Sequence, residues 1–155
     1  AGGHVGAFED HCGAAVRECR EEVGVEPSAD ELYYLGGRSL ENPAGVCQRV
    51  FQHFYLWVCP LRLEDFTLTP EVSGFVEVEL EDFIALLERD RDSIRAKVRH
   101  AAESKSVKAT EITWEFIGKY SEGILDGFLR SLYAIRHYLD TGDINLEIWN
   151  SPRNE

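Results

Sequence analysis

Apolar residues recur along the chain with two periods, and the switches between them divide it into elements. Val16, Cys19 and Val23 recur at helical spacing, with Ala14 and Ala15 beside them, so the segment up to Gly24 is predicted as a short amphipathic helix. Gly24 stands where a left-handed cap would end it. ELYYLG, from Glu31 to Gly36, reads as a strand with Gly36-Gly37 as its turn. Val46 to Cys59 is rich in β-branched and aromatic residues and reads as a long strand stopped by Pro60. Thr69 to Val78 is a loop running into a strand, and a helix follows from Leu80. Asp92 to Ala102 can continue that helix, and Ser104 to Thr110 reads as a linker. Between Ile112 and Leu139, the residues Ile117, Tyr120, Ile124, Phe128, Leu132, Ile135 and Leu139 form one helical stripe, widened by Leu125, Leu129 and Tyr133. Thr141-Gly142-Asp143 closes it.

The first helix carries an unusual charge pattern. At 100° per residue Glu18, Glu21 and Glu22 fall within one face about 100° wide. Like charges at that spacing repel by roughly 0.2–0.5 kcal/mol per pair. A solvated acidic face is one reading, supported by Arg17, which lies one turn before Glu21. A bound divalent cation is the other, because hard Mg²⁺ takes carboxylate oxygens. Spacing alone leaves both open.

The whole stretch from Gly3 to Val25 resembles the signature of the Nudix family: Gly3, Glu9, Arg17-Glu18, apolar Cys19, Glu21-Glu22, Gly24 and apolar Val25 stand at its spacing. With each residue type used at about 6%, seven fixed residues coincide at a given start with odds on the order of one in several hundred million. Phe8 occupies a place where the family commonly has Gly. The resemblance implies an α/β fold, an α/β/α sandwich with a mixed sheet, and hydrolysis of a diphosphate linkage with Mg²⁺ or Mn²⁺. It implies further that Glu18, Glu21 and Glu22 ligate the metal. Arg17 and Glu9 would brace the loop and helix, and Gly3 and Gly24 would supply backbone freedom. A minimal domain of this kind is expected over residues 1–110, with 111–155 a helical extension packed on it or on a second copy of the chain. Such a domain has sheet strands before its signature, so part of the sheet is expected to be missing here or replaced by a neighbouring element.

Composition narrows the partners. A net charge of −12 argues against a nucleic-acid groove, which needs a basic stripe, but not against a nucleotide bridged to acids by a metal. No apolar run reaches the roughly 18 residues of a membrane span, and no signal peptide is visible, so a cytoplasmic protein is expected. Cys12, Cys19, Cys47 and Cys59 show no CxxC spacing and are expected as free thiols, the state a reducing compartment favours. His11 beside Cys12 lacks the second ligand pair that zinc needs.

Two residues outside the signature are candidates. In the resembled family an acid-apolar pair leading into a strand and then a helix often supplies a further carboxylate, and Glu71-Val72 matches it. Metal-bound carboxylates are poor bases, so Glu71 is the expected general base, with Glu18 the first alternative. Arg49 is a candidate phosphate contact, although Arg49, Gln52 and His53 read equally as the outward face of a strand. Gly3-His4 with Ala7 and Glu9 also looks like the variant found in isopentenyl-diphosphate isomerases, but Gly2 stands where those enzymes place a catalytic Cys. A non-catalytic binding module would be expected to have lost signature acids, and none is lost.

Overall fold

The computed structural model describes residues 1–41, 49–100, 106–117, 120 and 122–150. The chain forms two compact units, one of residues 1–32 and 57–117, the other of 33–56 and 118–155. The architecture is mixed α/β, with helices and two antiparallel sheets, consistent with the expected fold class. Where a single mixed sheet was expected, the strand pairs among the described residues are antiparallel.

The first unit begins with α1 (His11–Glu18), continued by a π-helical turn over Cys19–Val23 and a short 3₁₀ turn at Ala29–Glu31. Asp10 caps α1 by accepting from the Gly13 amide at 2.7 Å. After a long loop come β3 (Gly74–Val78), α2 (Leu80–Leu87), β4 (Ser93–His100), β5 (Lys108–Thr113) and α3 (Trp114–Ile117). β4 is the central strand, with Val76 opposite Val98 on one side and Ala96 opposite Thr110 on the other. α2 packs on β4, burying Ile84, Leu86 and Leu87 near Ile94 and Ala96, which are also buried.

Two expectations fail in this unit. The helix from Leu80 stops at Leu87 instead of running on through Asp92 to Ala102. Arg89 adopts a left-handed φ of 69°, the Asp90 amide donates to Ala85 O at 2.9 Å and the Arg89 amide to Leu86 O at 3.3 Å, which is a Schellman cap. Beyond it, Ile94, Ala96 and Val98 alternate with Arg95 and Lys97, the period of a strand. The expected linker at 104–110 is likewise strand from Lys108, held by its pairing to β4.

In the second unit β1 (Leu32–Glu41) pairs with β2 (Arg49–Trp57), accompanied by α4 (Glu122–Thr141) and a 3₁₀ turn at Leu146–Trp149. Gly36-Gly37 is not a turn; both residues lie inside β1. Tyr33 meets Tyr138 at 4.8 Å between ring centroids, and Arg38 also reaches α4, so the side-chain alternation slips by one residue between them. Between them Gly36 has a positive φ of 128°, a conformation that glycine adopts freely. A Cβ there would stand 2.9 Å from Trp149 Cγ, and Trp149 donates from Nε1 to Leu35 O at 2.5 Å and stacks on Phe54.

The expected helix from Ile112 to Leu139 is three elements, the end of β5, α3 and α4. The predicted stripe is buried only in part: Ile117 is buried, as are Leu125 and Leu129 of its wider face together with Gly127 and Ala134, whereas Phe128 is 40% and Leu139 61% exposed. The small residues decide this. Gly127 admits the Arg38 guanidinium, which pairs with Asp126 at 3.0 Å and donates to Gln52 Oε1 at 3.0 Å and to Gly123 O.

Candidate active site

The signature residues gather around one cation, the Arg17 guanidinium. Its Nε donates to Glu9 Oε1 at 3.0 Å and its Nη2 to Glu9 Oε2 at 3.2 Å and to His4 O at 2.9 Å. Its Nη1 donates to Glu18 Oε1 at 2.6 Å and to Glu21 Oε2 at 2.8 Å. Arg17 therefore joins the loop before α1 to the helix itself. Glu9 also accepts from the Gly6 amide at 2.7 Å, closing that loop from the other side. These contacts hold the Glu9 carboxyl below its ordinary pKa, the Arg17 hydrogen bond contributing most and the Gly6 amide next. Arg17 is shifted further up from an already high value, by Glu9 first and then by Glu18 and Glu21.

The acids do not lie on a regular α-helix. The helix widens into a π-turn from Cys19, a distortion frequent at functional sites. Glu18 and Glu21 stay together on Arg17, while Glu22 accepts from the Gly2 amide at 3.0 Å, next to the Gly3 on which the Glu18 carboxylate packs. Gly24 ends the turn at φ 73°. Gly3 has no left-handed φ and serves by lacking a side chain: a Cβ would stand 2.6 Å from Glu18 Oε2 and nearer still to Oε1. Phe8 takes the left-handed φ of 68° that glycine adopts freely, a strain of about 1–2 kcal/mol, and its ring is fully exposed.

Glu71 is on the loop that closes the end of the π-turn. The Thr67 amide donates to Val23 O at 3.2 Å, and the Thr69 hydroxyl lies 3.5 Å from Glu22 O. Val72, the neighbour of Glu71, lines the same cleft of about 460 Å³ as Glu22. Glu71 itself is exposed. Arg49 belongs to the other unit, where it pairs with Glu41 at 2.8 Å. In that unit His53 shares a 3.1 Å hydrogen bond between its Nδ1 and the Tyr34 hydroxyl. Cys12, Cys19 and Cys59 are free and half-buried, burial pushing the Cys19 thiol up, and Cys47 lies outside the described residues.

The donor chemistry fits a hard divalent cation. Carboxylates are the donors Mg²⁺ and Mn²⁺ prefer, and Glu18 and Glu21 already direct one oxygen each at a single positive centre. Among the described residues, no group of three or more His, Cys, Asp or Glu side chains stands in an arrangement that could hold a metal ion.

Sequence reasoning missed several supports. Asp10 had a readable signal, an acid at the helix start. The His4 carbonyl, a backbone group, had none, and neither had Thr67 and Thr69, whose contacts join segments far apart in the chain.

The family model of the NUDIX domain matches residues 1–101, and the chain belongs to the Nudix family, whose domain supports hydrolase chemistry of the pyrophosphate type in general. Members of the family typically use divalent metals. No curated protein and no solved structure matches the chain. Among the described residues, no helix is long and apolar enough to cross a membrane.

Proposed function

We propose that the protein is a divalent-metal-dependent hydrolase that cleaves a diphosphate linkage in a nucleoside diphosphate derivative or a related small molecule. The observation that carries this reading is the convergence of Glu18 Oε1 and Glu21 Oε2 on Arg17 Nη1, with Glu22 one residue further along a π-turn. A helix built only for solubility has no need to bring its acids together. Glu18, Glu21 and Glu22 hold Mg²⁺ or Mn²⁺, which when bound neutralises phosphate charge and favours attack by water.

The chain's own residues divide the remaining work. Arg17 and Glu9 lock the loop from Gly3 to Asp10 onto the helix, so that the carboxylates keep their places when substrate charge arrives. Gly3 leaves room for the Glu18 carboxylate. Glu71, carried on the loop that grips Glu22 and Val23, accepts the proton of the attacking water. An exposed carboxylate outside the metal ligands retains the lone pair that this role requires.

Hydrolysis is favoured over isomerisation because the acid set is complete and Gly2 has no thiol to offer. The test is Glu22→Gln assayed with Mg²⁺ against nucleoside diphosphate conjugates, dinucleoside polyphosphates and prenyl diphosphates. The variant is expected to fold and to turn over the wild-type substrate at least about 10²-fold more slowly. Equal turnover at saturating Mg²⁺ refutes the assignment.

A further inference from the structure

Arg99 is a buried cation for which the proposed chemistry has no use. On β4 it shares a face with exposed Arg95 and Lys97, yet only 6% of it is accessible, because the loop before β3 lies across it. Its Nη1 donates to three carbonyls of that loop, Leu63 at 3.1 Å, Glu64 at 3.2 Å and Phe66 at 2.5 Å. Its Nε has no partner among the described residues. The opposite residue on β3, Phe75, holds Phe66 at 5.7 Å between ring centroids.

The next residue of the loop is Thr67. Its amide meets Val23 O, and the Thr69 hydroxyl lies at Glu22 O. These two carbonyls end a helical segment and have no later turn to satisfy them. Gly24 packs so closely on Thr67 that a Cβ would stand 2.7 Å from Thr67 O, so a shift of the loop is felt at the end of the π-turn.

We propose that Arg99 is a positioning residue: by gathering the carbonyls of residues 63–66 it holds Thr67 and Thr69 against the last turn of the signature helix and thereby fixes where Glu22 stands. The inference rests on the metal-holding role proposed for Glu22. Because all three bonds converge on one nitrogen, a lysine ammonium, with three hydrogens but on a side chain one bond shorter, can restore part of them, whereas an apolar side chain cannot.

The test compares wild type, Arg99→Met and Arg99→Lys by three measurements: Mn²⁺ binding by electron paramagnetic resonance, Thr67 amide exchange by NMR, and thermal melting. Arg99→Met, still folded at the assay temperature, is expected to bind Mn²⁺ about tenfold more weakly or worse, as supporting residues of metal sites do. Its Thr67 amide should exchange about tenfold faster, and Arg99→Lys should restore both at least in part. Mn²⁺ affinity within twofold of wild type in folded Arg99→Met overturns the proposal. If Arg99→Met does not fold, Thr69→Val decides: at least threefold weaker Mn²⁺ binding supports the tether, and equal binding overturns it. A wild-type protein that binds no Mn²⁺ refutes the metal reading instead, and Thr67 exchange in Arg99→Lys and Arg99→Met then decides separately whether Arg99 holds the loop.

Discussion

Replacing Gly3 by Ala separates the site from the fold. The backbone at Gly3 is not left-handed, so alanine brings no φ penalty. Its Cβ would stand 2.6 Å from Glu18 Oε2, and ordinary contact begins at 3.4 Å, so that oxygen retreats by about 0.8 Å and Oε1 by more. The moving group is the flexible end of a side chain that is 13% exposed and bonded to Arg17 Nη1, so the cost is that of disturbing one ion pair, up to about 1 kcal/mol. At about 2–4 °C per kcal/mol for a chain of this length, the melting temperature should fall by no more than about 4 °C. Function is more sensitive. A displacement near 1 Å in a catalytic constellation costs about 10²-fold, and Glu18 is both a proposed ligand and a partner of Arg17. The expected result is therefore melting within about 4 °C of wild type, with Mn²⁺ affinity or Mg²⁺-dependent turnover lowered by about 10²-fold. Calorimetry, Mn²⁺ titration and steady-state kinetics on one preparation suffice. Gly3→Ala with wild-type affinity and turnover refutes the placement of Glu18 at the metal; a large drop in melting temperature refutes the view that Gly3 serves the site alone.

Other outcomes follow from the same geometry. Glu71→Gln should lower turnover by about 10²–10⁴ while leaving Mn²⁺ affinity nearly unchanged, whereas Glu18→Gln should weaken both; wild-type turnover of Glu71→Gln across pH would move the base to Glu18. Gly24→Ala places an L-residue at φ 73° against Thr67, and the left-handed conformation alone, at about 1–2 kcal/mol, should lower the melting temperature by about 2–8 °C. The Glu9 carboxyl should titrate by carbon-13 NMR below the ordinary glutamate value of about 4.3, and Arg17→Met should return it toward that value. Because its folded pKa is depressed, Glu9 stabilises the loop above the unfolded pKa, and that contribution is lost as pH falls through the folded one; a midpoint at or above the ordinary value contradicts the Arg17 contact.

The sequence by itself determined the family and the residue types of the site. The signature is local: its glycines, acids and arginine lie within a single loop and helix, where chain connectivity already limits the distances between them. The strand before α2, the start of α2 at Leu80 and the strand through Phe51 and Tyr55 were legible for the same reason, since hydrophobic period is a property of neighbouring residues. The tertiary structure decided what depends on partners distant in the chain. Ser93 to His100 became a strand because β3 and β5 pair with it on both sides, and Gly36 sits inside β1 because Trp149 fills the space where a side chain would stand. The face that α4 buries was set by Gly127 and Arg38, a small residue admitting a large one, which no count of apolar residues along the helix reveals. In the site, α-helical spacing gave three acids on one face, whereas the π-turn leaves Glu18 and Glu21 on Arg17 and Glu22 on the Gly2 amide. The carbonyls of Glu22 and Val23 end that turn without partners of their own, and the threonines that meet them come from a loop more than forty residues away.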